Sequence, residues 1–114
     1  MGWWWMPRLE YSPVALEKLG AIHRYIAEDL QSPQGAANTL NTIRKKIRGL
    51  KEMPGIGAML TSRSAEVPEM FRNARVLLCG QYLAVYQYDG ESVRILAIYH
   101  TAEDYVRHLF ELQR

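Results

Sequence analysis

The stretch MFRNARVLLCGQYLAVYQYDGESVRILAIYH, residues 70–100, decides the fold. It divides into three runs of strand character, Met70 to Cys79, Tyr82 to Tyr88 and Ser92 to His100, each rich in β-branched, aromatic and other apolar side chains. Asp89-Gly90 is a strong tight-turn signal between the last two runs, and Gly80-Gln81 can turn the first pair. Strands joined by connections this short lie antiparallel, so the stretch reads as a meander. Downstream, Tyr105, Val106, Leu109 and Phe110 give Ala102 to Leu112 the spacing of a short closing helix.

Upstream of the meander the period changes from two to between three and four. Arg8 to Tyr11 alternates polar and apolar as a short strand would, and Ser12-Pro13 then supplies an N-cap and a first-turn proline. Ala15, Leu19, Ile22 and Ile26 form one apolar stripe. Ser32-Pro33 repeats the start signal, and Ala36, Leu40, Ile43, Ile47 and Leu50 form a second. Two helices joined this tightly pack antiparallel as a hairpin. Pro54, Gly55 and Gly57 end the second helix, and a loop runs on to Pro68. The expected order is β-α-α-β-β-β-α, an α+β domain with an antiparallel sheet, the helical hairpin on one face and the other face open.

At 114 residues, 48% of them hydrophobic and 23% charged, the chain suits one ordinary core and neither a disordered nor a bilayer-spanning class. A single cysteine, Cys79, excludes an intramolecular disulfide framework and a multi-thiolate metal centre, and a reducing cytoplasm is the simplest compartment. Residues 1–7, with Trp3-Trp4-Trp5, match no amphipathic period and lack a signal peptide's basic start; they read as an appendage to a single domain over 8–114.

The net charge of +2 conceals an uneven distribution. Residues 1–50 hold seven cations against four acids, and residues 81–114 hold three against five. Arg44, Lys45, Lys46, Arg48 and Lys51 place five cations within eight residues, on the outer side of a helix whose Ile43, Ile47 and Leu50 face inward. Such a run is either a solvated helix face or a patch for an acidic partner, phosphate or a carboxylate-rich peptide. A general RNA-binding surface is usually more basic than this chain.

Candidate chemistry is sparse. His100, at the end of the last strand, is placed either for general acid–base work or for an anchoring hydrogen bond. Arg72 and Arg75, three apart in the expected first long strand, point to opposite faces, and Arg63 and Arg94 are scattered. His23 and His108 lack a carboxylate or second histidine at metal spacing, so no metal site and no cofactor are expected. Gly55 and Gly57 follow a helix rather than opening one, the wrong context for a phosphate loop. Cys79 reads as a small packed apolar side chain.

Four segments together resemble the RelE/ParE superfamily of type II toxin–antitoxin toxins: SPVALEKLGAIHRYIAED (12–29), SPQGAANTLNTIRKKIRGLKEMPGIG (32–57), QYLAVYQYDGESVRIL (81–96) and AIYHTAEDY (97–105). The likeness spans about residues 8 to 107 and rests on order and spacing rather than on one motif. It implies the β-α-α-β-β-β-α fold and a plasmid-stabilisation toxin neutralised by a cognate antitoxin. The resemblance offers two activities. RelE-like members are metal-independent endoribonucleases that cleave messenger RNA on the ribosome; that pattern would use His100 with Arg72, Arg75 and Arg94. ParE-like members bind and poison DNA gyrase without such a set. Leu83 stands where the nuclease pattern expects an arginine and Thr101 where some members have a tyrosine, so the resemblance leans to the ParE-like, non-enzymatic branch. An antitoxin of this family wraps its toxin as it folds, and the basic run Arg44, Lys45, Lys46, Arg48 and Lys51 would suit its acidic tail.

Overall fold

The computed structural model describes residues 6–113. Ser12 begins the first helix as its sequence requires: its Oγ accepts the Ala15 N–H at 3.0 Å and donates to the Leu96 carbonyl at 2.8 Å, so one hydroxyl caps the helix and ties it to the sheet. The helix, α1, runs over Pro13–Arg24 and passes into a π-helical turn, Tyr25–Asp29. Gln31 then adopts a left-handed conformation, φ 53°, that reverses the chain. Ser32 caps α2 (Pro33–Arg48) by accepting the Gly35 N–H at 3.0 Å; a Cβ on Gly35 would stand 2.5 Å from that hydroxyl, so a larger residue there would displace the capping side chain. A 3-10 turn, Gly49–Lys51, closes the hairpin and buries Leu50.

The strands are β1 (Arg8–Tyr11), β2 (Ala58–Met59), β3 (Arg75–Cys79), β4 (Tyr82–Tyr88) and β5 (Ser92–His100), and α3 covers Tyr105–Gln113. They form one sheet in the order β1-β5-β4-β3-β2. The expected meander is present, turned by Gly80 (φ +68°) and Gly90 (φ +94°), where the left-handed backbone favours glycine. The sheet is nevertheless mixed. β1 lies parallel to β5, Arg8 opposite Ser92 and Tyr11 opposite Ile95, so the chain enters its last strand in the direction it took through its first.

Two further expectations change. The first long strand does not begin at Met70. Glu69–Phe71 is a 3-10 turn, its Phe71 N–H bonded to the Pro68 carbonyl at 2.9 Å, and the strand starts at Arg75. Nor is the second face of the sheet open. Leu83, Val85, Ala97 and Tyr99 point away from the hairpin, and Leu60, Phe71 and Ala74 of the connecting segment, with Leu109 of α3, pack over them. The physical reason is that β4 and β5 carry apolar side chains on both faces, and both need cover. On the hairpin side Ala15, Leu19, Ile22, Ile43, Ile47 and Leu50 meet Ala84, Tyr86, Val93, Ile95 and Ile98. At the N-terminal boundary Pro7 is buried, and residues 1–5 lie outside the described residues.

A bulge in β5 decides where its side chains go. Tyr86 faces Ile95 but Val85 faces Ala97, so Leu96 is the extra residue. Ile95 and Ile98 consequently share the hairpin face, and every residue after the bulge has exchanged sides relative to strict alternation.

Candidate functional site

The basic run on α2 divides between two surfaces. Arg44 lies over the Tyr11 ring, its guanidinium carbon 5.9 Å from the centroid, and Arg48 acts on the same phenol. Burial pushes the Tyr11 phenol up, against the opposing pull of these two cations. Lys45 and Lys46 instead line a groove of about 650 Å³ with Thr42, Gly49, Glu52, Met53, Ile56 and Leu77. Lys51 lies in the 3-10 turn and is half-buried. The helix thus presents a cation–aromatic edge towards β1 and a lysine-rimmed groove towards β3.

The floor and end wall of that groove are apolar and exposed: Met53 is 58% and Ile56 57% accessible, with Leu77 half-buried beside them. The end wall is firmly held. Tyr86 is fully buried, and its hydroxyl donates to the Pro54 carbonyl at 2.7 Å while accepting the Gly57 N–H at 2.9 Å. Arg75 Nη1 donates to the carbonyls of Gly57 at 2.8 Å and Gly55 at 3.2 Å. Periodicity does not reveal this arrangement, since Tyr86 and Arg75 lie 18 to 32 residues from the groups they bind. The only local signal is the Pro54-Gly55-Ile56-Gly57 punctuation itself.

The four residues of the nuclease pattern do not converge. Arg72 is exposed at the end of a 3-10 turn rather than in a strand, and Arg75 is committed to the loop carbonyls. Arg94 lies 3.5 Å from Glu10 at the start of β5. His100 lies at the other end of β5, and the bulge turns it to the hairpin face, edge-on to Tyr82 with ring centroids 5.1 Å apart. Its Nδ1 accepts the Ala102 N–H at 3.0 Å, which anchors the turn after β5. Leu83, at the position where the nuclease pattern has an arginine, is 2% exposed in the second core cluster. A guanidinium there would be buried with no carboxylate beside it among that cluster's residues.

A second polar cluster, also unforeseen, surrounds Glu103. Its Oε1 accepts from Lys18 Nζ and from the His100 N–H, both at 3.1 Å. His108 is not isolated as its spacing suggested: it lies between Glu103 (3.6 Å) and Glu111 (3.1 Å) and stacks on Tyr99, ring centroids 5.5 Å apart. Burial, with Glu103 and Glu111 nearby, pushes the Tyr99 phenol up to about 12, so it stays protonated and does not serve as a base at neutral pH.

A family profile described as the ParE toxin of the type II toxin–antitoxin system parDE matches residues 9–105. The chain belongs to the ParE toxin family. Among solved structures it is similar to the chromosomal ParDE toxin–antitoxin system from P. aeruginosa, at 25% identity and a TM-score of 0.67, over 83% of this chain and 96% of that one. No curated protein matches it. The ParE match runs from β1 into the start of α3, so it takes in both core clusters, the α2 groove and the pinned loop. Among the described residues no helix of this ParE-family chain is long and apolar enough to cross a membrane.

Proposed function

We propose that this ParE-family chain is the toxin of a plasmid-stabilisation type of toxin–antitoxin pair, that it acts in the cytoplasm by binding a protein target, DNA gyrase, and that a cognate antitoxin neutralises it. The observation that carries this reading is the dispersal of Arg72, Arg75, Arg94 and His100 together with a buried Leu83. Phosphodiester cleavage needs donors aimed at one developing charge, and removing a single such donor already costs about 3 kcal/mol of transition-state stabilisation. A protein-binding toxin needs no such convergence; it needs exposed, rigid apolar and charged surface, which the α2 groove supplies. The family membership and the likeness to a ParDE system support the antitoxin as partner.

The test is expression in a bacterium with plasmid supercoiling and messenger RNA examined together. Growth arrest with altered supercoiling, intact transcripts and no dependence on His100 is the expected result. Transcript cleavage on the ribosome that disappears in His100→Ala would overturn it in favour of the endoribonuclease.

A further inference from the structure

Two adjoining concavities of about 280 and 440 Å³ open where α1 ends beside the end of β5, and Tyr25, Tyr82 and His100 line both. They lie on the hairpin side of the sheet, the face opposite Leu83. Tyr25 stands 51% accessible, carried by the π-helical turn in which the Leu30 N–H reaches back five residues to the Tyr25 carbonyl at 3.0 Å. Such turns are rare and collect at functional sites. The core does not need an aromatic ring there, since Ile22 and Ile26 already continue the apolar stripe of the helix. His100 is oriented rather than merely packed. Its Nδ1 accepts the Ala102 N–H at 3.0 Å, so in the neutral ring the proton sits on Nε2, which has no hydrogen-bond partner among the described residues. The exposed Gln81 carboxamide lines the larger concavity and offers a donor and an acceptor side by side. Burial, with Glu103 and Tyr25 nearby, pushes the Tyr82 phenol up, so its ring is a neutral surface at ordinary pH. Lys18 and Glu103 close the smaller concavity as a pair 3.1 Å apart, and its lining carries no net charge.

We infer that this cavity binds an uncharged adenine-type heterocycle, a free nucleoside, with Tyr25 and Tyr82 as its stacking surfaces and Gln81 and the His100 Nε2–H as the groups that read its edge. Each observation selects one property of the ligand. Aromatic walls favour a planar π system, and stacking on a tyrosine tolerates any base. The carboxamide discriminates among bases, because a glutamine donor–acceptor pair matches the amino group and N7 of adenine. His100 only donates, so it takes a ring nitrogen or a hydroxyl oxygen. The larger concavity, with Thr39 on its wall, leaves room for a sugar beside the base. The Lys18–Glu103 pair leaves no unneutralised cation for a phosphate, which selects the nucleoside over a nucleotide or a nucleic acid strand. None of this depends on the cellular target proposed above.

The test titrates the full chain with adenosine by calorimetry and follows it by backbone amide NMR. A ligand of this size in an open site is expected to bind with a Kd of about 0.1 mM and to shift the amides of Gln81, Tyr82 and Ala102. AMP should bind no more tightly than adenosine, and added salt should leave both unchanged. Tyr25→Leu, at an exposed position, weakens binding about tenfold. His100→Asn keeps an acceptor for the Ala102 N–H, removes the Nε2 donor and weakens adenosine about fivefold. The decisive comparison is tubercidin, the adenosine analogue with carbon in place of N7. It should bind about fivefold more weakly than adenosine to the parent, and as well as adenosine to Gln81→Ala. The same ratio in parent and variant would overturn Gln81 as the reader of the base. Absence of the amide shifts at about 1 mM adenosine would overturn the site. Benzyl alcohol binding as tightly as adenosine would reduce the cavity to an apolar slot and overturn the heterocycle. Tighter, salt-dependent binding of tetra-adenylate RNA would overturn the free nucleoside in favour of a nucleic acid strand.

Discussion

The Lys18 ammonium lies 3.1 Å from the Glu103 carboxylate and joins α1 to the turn before α3 across 85 positions of the chain. Burial opposes ionisation of Glu103, but the His100 N–H, the Lys18 ammonium and His108 outweigh it and hold the carboxyl below its ordinary value. A carboxyl whose folded value is depressed contributes stability above its unfolded value, and that contribution is lost as pH falls through the folded one. Acid denaturation should therefore begin as the medium drops below the ordinary glutamate range. Glu103→Gln should flatten that limb and lower neutral stability by about 1 kcal/mol. Urea melts at neutral and acid pH measure both; an unchanged acid limb would remove Glu103 from the account.

Gly57 and Gly55 are two residues apart and should respond oppositely to one methyl group. A Cβ on Gly57 would meet the Tyr86 ring and hydroxyl at 2.7 Å and the Val76 carbonyl at 2.8 Å, while a Cβ on Gly55 meets nothing within 4 Å. Backbone on one side and a fully buried ring on the other leave little room to yield. We expect Gly57→Ala to cost about 2–3 kcal/mol and Gly55→Ala to stay near neutral, read from equilibrium denaturation of both variants.

What the sequence made legible follows from the range of its signals. Ser12-Pro13 and Ser32-Pro33 marked both helix starts because capping is local, and the turns at Gly80 and Gly90 were visible because left-handed backbone favours glycine. The parallel pairing of β1 was not, since a four-residue strand carries no mark of which neighbour it will find. The cover over the second sheet face was missed for another reason. Leu83, Val85, Ala97 and Tyr99 advertise a face that needs burial, but Leu60, Phe71 and Leu109 come from segments with no shared period. At the candidate site the basic run was visible as composition, whereas its division into a Tyr11 edge and a lysine-rimmed groove required the direction of α2 across the sheet. The bulge at Leu96 has no clear sequence mark, and it alone puts Arg94 and His100 on opposite faces.

Leu109 is the one buried residue of α3, fully covered against Phe71, Leu83, Val85 and neighbouring side chains of the second cluster. The helix has few other apolar anchors: Phe110 and Leu112 are exposed, and beside Leu109 it is tied by Tyr105, which packs against the second cluster, by the His108 stack on Tyr99 and contact with Glu103, and by a Gln113 hydrogen bond to the Met70 N–H at 3.2 Å. Leu109→Ala should cost about 3 kcal/mol and release α3 before the sheet unfolds. Hydrogen exchange would show this as faster exchange across 105–113 with β4 still protected; uniform acceleration of both would mean that α3 and the sheet unfold as one unit.

Cys79 gives a reporter of global opening. The thiol is 1% exposed at the end of β3, and burial pushes it up to about 11, with Lys46 pulling weakly the other way. At neutral pH almost none of it is thiolate, and the thiolate is the species that alkylates. Two barriers therefore multiply, access and ionisation, and both vanish together when the chain unfolds. Iodoacetamide should label the native protein in proportion to its unfolded fraction, the rate rising with urea in parallel with loss of structure. Rapid labelling in the absence of denaturant, at a rate that low urea leaves unchanged, would show that β3 opens locally at its outer edge. Gly57→Ala, which weakens the loop beside that edge without touching Cys79, should accelerate labelling by the same factor by which it destabilises the fold.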